Sequence, residues 1–335
     1  MTLDPLVIML VDALVKAIVI VVLLLSAYAY LTLMERLVIA RIQVRVGPNR
    51  VGPRGLLQPI ADAIKTIFKE DFIPAQADKV IYTLAPGIAV GTAILAWAVI
   101  PLHPSWTIGG YTINFYLADI NVAVLYLLAV GSLGVYGIVL GGWSANNKYS
   151  LLGGLRSTAQ MISYEVSLGL ALVGVIMISQ TLSLSQIVQQ QSTIWNVVWQ
   201  PLGFIIYFIC GVAETNRLPF DLPEAETELV AGYGTEYASL KFALFYMAEY
   251  LNMITVGAIA ATLFWGGYQG PFGILPGVHW LVLKILVFIF ILMWMRGTLP
   301  RFRYDQLMRF GWKVLLPLSL ANIFITAVVL VLIGK

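Results

Sequence analysis

Two acids sit where a lipid-spanning helix would carry them into hydrocarbon: Glu165 and Glu249. Each falls about eight residues inside a long apolar run, hence ~12 Å deep at 1.5 Å per residue. An isolated carboxylate at that depth costs on the order of 3 kcal/mol on insertion scales. Acids placed this way line a hydrated cavity, pair with a cation, or take up a proton. Glu214, at the end of another apolar run, completes a set suited to a lateral proton relay. Just beyond it lies an acidic segment, Ala213 to Glu228, containing Asp221, Glu224, Glu226 and Glu228. Carboxylates this close repel one another, so the segment calls for protonation or basic partners. The other reading of it is a solvated acidic loop or a docking surface for a basic soluble partner. A second segment is basic and stiff. From Arg45 to Pro53 it carries two Gly-Pro steps, which impose a non-helical crossing.

The elements that must position these groups are membrane helices. Hydrophobic types make up 60% of the 335 residues and charged types 11%, against roughly 25% in soluble domains. Runs of ~20 apolar residues are expected at about 17–34, 80–100, 122–140, 157–178, 194–212, 241–265, 280–296 and 314–333. The fold class is therefore an all-α polytopic membrane protein, a single domain over 1–335 with eight spans and no inverted repeat. The fifth span is the weakest, because Gln200 and Pro201 interrupt it. The third is rich in glycine, which favours close helix packing. Lys284 is shallow enough to snorkel outward. Two segments stand apart. A loop over 35–79 holds a short amphipathic helix, Leu56–Lys69, with Ile60, Ile64, Ile67 and Phe68 on its apolar face. The acidic loop covers 213–240.

Loop charge sets orientation. The first, third, fifth and seventh loops with their flanks hold 17 of the 20 lysines and arginines, which places them in the cytoplasm. The chain is then multi-pass in the cell (inner) membrane, with both termini outside. One cysteine, Cys210, cannot form an internal disulfide or hold an iron–sulfur cluster. The two histidines, His103 and His279, are far apart and read as interfacial loop residues, so no metal or haem is expected on them. The first apolar run is long enough to span and reads as a retained helix.

Several motifs in order resemble one family. Met34-Glu35-Arg36, the crossing from Gln43 to Pro53, and Gly55 to Ala63 carry it, followed by Leu155 to Glu165 and Ala213 to Glu228. Phe242 to Tyr250 and Pro300 to Gln306 complete it. Together they resemble the quinone-site membrane subunit of respiratory complex I over nearly the whole chain. The resemblance implies that Arg36, Gln43, Arg45, Asp62, Lys65, Arg217, Phe220, Arg301 and Arg303 frame a quinone chamber. It implies that Glu35, Glu165, Glu214, Asp221, Glu224, Glu226, Glu228 and Glu249 couple that chamber to proton translocation. Quinone would be the substrate. FMN and iron–sulfur clusters would sit on partner subunits, with no cofactor bound by this chain. The implied partners are the other membrane subunits, the peripheral arm and the lipid bilayer, with no nucleic acid. Such a chain is a non-redox part of an NADH:quinone oxidoreductase and inactive alone. The equivalent subunit of a membrane-bound hydrogenase or another quinone-linked dehydrogenase is the nearest alternative. A secondary ion transporter is a more distant one, disfavoured by the absence of repeats.

Overall fold

The computed structural model describes residues 5–108, 111–222, 226–273 and 275–334. It is a bundle of helices in which, among the described residues, seven are long and apolar enough to cross a bilayer. In chain order these are α1 (Pro5–Ile42), α3 (Lys79–Leu95), α4 (Ala123–Ser144), α5 (Lys148–Ser179), α10 (Ser239–Phe264), α11 (Val278–Thr298) and the stretch Tyr304–Ile333. That last stretch runs from α12 (Tyr304–Phe310) through one π-helical segment, Gly311–Leu315, into α13 (Leu316–Ile333). Between these lie α2 (Gln58–Ile67), α6 (Leu184–Gln190), α7 (Asn196–Trp199), α8 (Pro201–Glu214) and α9 (Glu226–Leu229). A two-stranded antiparallel hairpin, β1 (Trp106–Ile108) and β2 (Tyr111–Ile113), lies beyond α3.

Local chemistry explains several boundaries. The Asp78 carboxylate caps α3 by accepting from the Val80 and Ile81 amides at 3.0 and 3.2 Å. The Asn147 carbonyl does the same for α5 through Tyr149 N–H, at 2.9 Å. The expected fifth span is broken where the sequence places its Gln-Pro step. α7 ends at Trp199, and α8 restarts with Pro201 in its first turn, where proline's missing N–H has no cost. α8 alone is ~21 Å long, short of a ~30 Å hydrocarbon core. Gln200 fills the break: its amide donates to Thr326 Oγ1 at 2.6 Å and its carbonyl accepts from Asn322 at 2.9 Å, both on α13.

α1 corrects the first boundary. The helix runs on to Ile42, so Glu35, Arg36 and Arg41 ride on its last turns and not in a loop. Asp12 and Lys16 lie inside the same helix and pair at i, i+4. Lys284 also departs from expectation. It is buried and caps the end of α10, donating to the carbonyls of Trp265, of Gly267 at 2.8 Å and of Gln269 at 2.6 Å. Three carbonyls where α10 ends present more negative potential than a route to the surface would offer the ammonium.

Close packing of α3 on α4 uses glycine where the sequence is rich in it. A Cβ at Gly137 would sit 2.8 Å from Ala89. One at Gly131 would lie 3.2 Å from Glu214 Oε1, so the missing side chain makes room for that carboxylate.

Candidate functional site: an acid-lined cavity and its arginine clamp

The site begins at the turn after α8. Arg217 is 4% exposed, and the fold surrounds it with acids from distant elements. Its guanidinium meets Glu35 of α1 at 2.8 Å and Glu249 of α10. Its carbon centre lies 4.6 Å from the Tyr250 ring centroid, a cation–π contact. Arg296, near the end of α11, pairs with the same Glu35. Two carboxylates and two guanidiniums from α1, the fifth loop, α10 and α11 thus form one chain of charge. Burial makes the Arg217–Glu35 pairing obligatory, because a buried ion without a partner is strongly penalised.

Gln160 of α5 staples the loop that carries Arg217. Its fully buried amide donates to the carbonyls of Ala213 and Phe220, both at 2.8 Å. Phe220 is buried, with its ring against Tyr164 of α5 at 5.4 Å and Phe302 of the seventh loop at 5.7 Å. Asp221 pairs with Arg301 at 2.8 Å, and Phe302 N–H donates to Pro219 O at 3.1 Å. The fifth and seventh loops are therefore joined by charge, ring contact and main chain. The return of the fifth loop is anchored by Tyr237, stacked on Tyr82 with centroids 4.2 Å apart. Burial pushes the Tyr237 hydroxyl up to about 12, partly offset by its hydrogen bond with Ser144.

Next to the clamp lies an internal cavity of about 80 Å³. A water needs only ~10–15 Å³ measured this way, so the space suits several waters. Glu165, Glu214 and Glu249 all line it, with Asn216, Asn252 and Thr255. Ser132 of α4 donates to Glu165. The three acids that the sequence puts in or beside separate spans share one largely apolar cavity, and Glu249 also touches Arg217.

The first loop is built as expected in kind but shorter in helix. α2 covers Gln58–Ile67. Ile60, Ile64, Ile67 and Phe68 are all exposed, the face an interfacial helix turns to lipid. On its other side Asp62 accepts from Arg36 at 2.7 Å and from Gln58 at 2.9 Å. Ser239 Oγ, at the start of α10, fastens the far end by donating to Thr66 O and Lys69 O at 3.0 and 2.9 Å. Gln43 and Arg45 pair with each other at 2.7 Å on the exposed crossing. Lys65 is exposed. Arg303 is exposed too and meets its neighbour Asp305 at 3.6 Å. Glu228 pairs with Arg156 at 2.6 Å, away from the clamp. Glu224 and the side chain of Glu226 lie outside the described residues.

Sequence reasoning does not single out Arg296, Gln160, Ser132 or Tyr250 as functional groups. Arg296 enters it only as loop charge and Gln160 only within a motif. Their partners are 50 or more residues away in the chain or on another helix, so no local pattern marks them.

The fold and the site define a polytopic membrane protein with a chain of paired charges beside an acid-lined cavity. The model for the NADH dehydrogenase family matches residues 15–327. Curated relatives agree. An NADH-quinone oxidoreductase H subunit of Geobacter metallireducens is 54% identical, covering 94% of each chain. The H subunits of the same enzyme from Protochlamydia amoebophila and Thermomicrobium roseum are each 56% identical. They cover 90% and 91% of this chain, and 92% of their own length is matched in both. This chain belongs to that family, the H subunits of NADH-quinone oxidoreductase.

Proposed function

We propose that this chain forms the membrane wall of a quinone chamber and couples quinone reduction to proton translocation in an NADH:quinone oxidoreductase. It acts as a non-redox subunit and only within the assembled complex. The electron-carrying FMN and iron–sulfur clusters belong to partner subunits, and the odd-numbered loops face the cytoplasm. The observation that carries this reading is the cavity where Glu165, Glu214 and Glu249 meet, joined through Glu249 to the Arg217–Glu35–Arg296 chain.

The chemistry runs as follows. A quinone takes two electrons and two protons to become a quinol. Charge appears beside the chamber when electrons arrive before protons. A guanidinium that already bridges Glu35 and Glu249 responds to added negative charge by weakening its hold on one of them. The released carboxylate then gains affinity for a proton. Waters held in a cavity of this size would link Glu249 to Glu214 and Glu165, so that the proton moves laterally, away from the quinone. α2, tied by Asp62 to Arg36 and by Ser239 to α10, forms the side of the chamber facing the membrane interface. Phe220, Asp221 and Arg301 join the two loops that would receive the peripheral arm.

The test is Glu165→Gln and Glu249→Gln, each in the assembled complex, with quinone reduction and proton pumping measured together. The expected result is loss of pumping with slowed quinone reduction. Wild-type levels of both in both variants would end the relay reading.

A further inference from the structure

The chain has two histidines, 176 positions apart, and the fold brings them to one spot. His103 follows α3, and His279 opens α11, at the end of the bundle opposite α2. Between them lies Gly277. A Cβ built there would sit 2.8 Å from His279 Nδ1 and 3.7 Å from His103 Nε2. The two ring nitrogens are therefore within about 6.5 Å of each other, the sum of those distances. The glycine is needed for this, because a side chain at 277 would displace the His279 ring.

The protonation pattern suits a ligand. His103 Nδ1 lies 2.8 Å from the Pro104 carbonyl. A carbonyl only accepts, so Nδ1 carries the hydrogen and Nε2 keeps its lone pair, turned toward Gly277. A main-chain carbonyl that sets the tautomer of a histidine is the usual support behind a metal-binding imidazole. The ring is further fixed between Trp106 and Phe115, at 5.3 and 4.9 Å. His279 is exposed beside the Trp280 ring, and a rotation of its side chain would close the remaining gap to the ~4 Å separation that two metal–nitrogen bonds of ~2.0–2.1 Å allow.

We propose that His103 and His279 form a binding site for a divalent transition metal of the zinc, nickel or copper class. Imidazole pairs suit these ions and not magnesium or calcium. No cluster of three or more His, Cys, Asp or Glu occurs among the described residues, so two protein nitrogens and water make the coordination sphere. That gives moderate, reversible affinity, suited to a regulatory or stabilising ion. A bound ion would tie the loop after α3 to the start of α11. This site is remote from the acid-lined cavity and does not depend on the function proposed for it.

The full-length chain, purified in detergent with any affinity tag removed, contains no other histidine to confuse the measurement. Calorimetric titration with Zn²⁺ is expected to show one site per chain. His103→Gln and His279→Gln should each weaken it by more than the roughly 10–100-fold that loss of an outer-shell partner costs, and Gly277→Ala should weaken it with both ligands present. The electron paramagnetic resonance spectrum of Cu²⁺ on the unaltered chain should show two nitrogen ligands, a reading that needs no variant to fold. A spectrum without paired nitrogen coupling, or Zn²⁺ affinity retained in the H103Q/H279Q double variant, would overturn the proposal.

Discussion

Removing the guanidinium of Arg217 leaves Glu249 facing the cavity without its clamp and Glu35 with Arg296 alone. Breaking a buried ion pair from one side costs ~3–5 kcal/mol. Arg217→Met is therefore expected to lower the thermal stability of the assembled complex by that order. Adding Glu249→Gln to the same chain should recover part of the loss, since the carboxylate that faced the guanidinium is then neutral as well. A double-mutant cycle on melting temperature measures the coupling, and simple additivity would show that the two side chains do not act as a pair. The exposed Arg36–Asp62 pair is a different case. Both side chains are at least a third exposed, so Asp62→Asn should change stability by no more than ~1 kcal/mol. Any larger effect on quinone affinity would then support the proposed chamber wall and not report on folding.

Among the elements, α3 and α4 pack with little room between their backbones. Their contact depends on Gly137, whose added Cβ would press on Ala89 backbone and side chain alike. Gly137→Leu is expected to destabilise by ~1–3 kcal/mol through overpacking. Gly169→Leu on α5 is the matched control, because nothing lies within 4 Å of a Cβ there, and it should stay within ~0.5 kcal/mol. Denaturation in detergent followed by helical circular dichroism separates the two. Equal losses would mean that glycine is chosen for backbone flexibility and not for close approach. α8 shows a related economy. It is too short to cross alone, yet at its break the Gln200 N–H donates to Asn196 O and the Gln200 main-chain carbonyl accepts from Phe204 N–H, as irregular backbone within a membrane requires.

For the molecule as a whole, the direction of insertion rests on the loop charges, and the expected cytoplasmic side is the one that carries α2 and the clamp. The buried Cys210 leaves the background silent to impermeant thiol reagents. Gln189→Cys, exposed in the last turn of α6, should label from outside intact cells, and Arg54→Cys, exposed before α2, only after permeabilisation. The opposite pattern would invert the topology. The bundle also shows why acids survive inside it. α5, α8 and α10 each present one carboxylate to one shared cavity.

Sequence alone determined the class of protein, the membrane helices, the weak point at Gln200-Pro201, the amphipathic α2 and the identity of the acids. These are local properties, set by hydropathy, by proline geometry and by the depth of a charge along one helix. Only the tertiary structure decided which charges meet. Glu35 and Arg217 lie 182 positions apart, and Arg296 reaches the same carboxylate from a third element. The same is true of Lys284, which its place in the chain would let reach the surface and which three carbonyls of a loop folded back over it hold inside. Partner choice for a buried charge depends on what else is removed from water around it. That is a property of the packed bundle, and no stretch of the chain carries it.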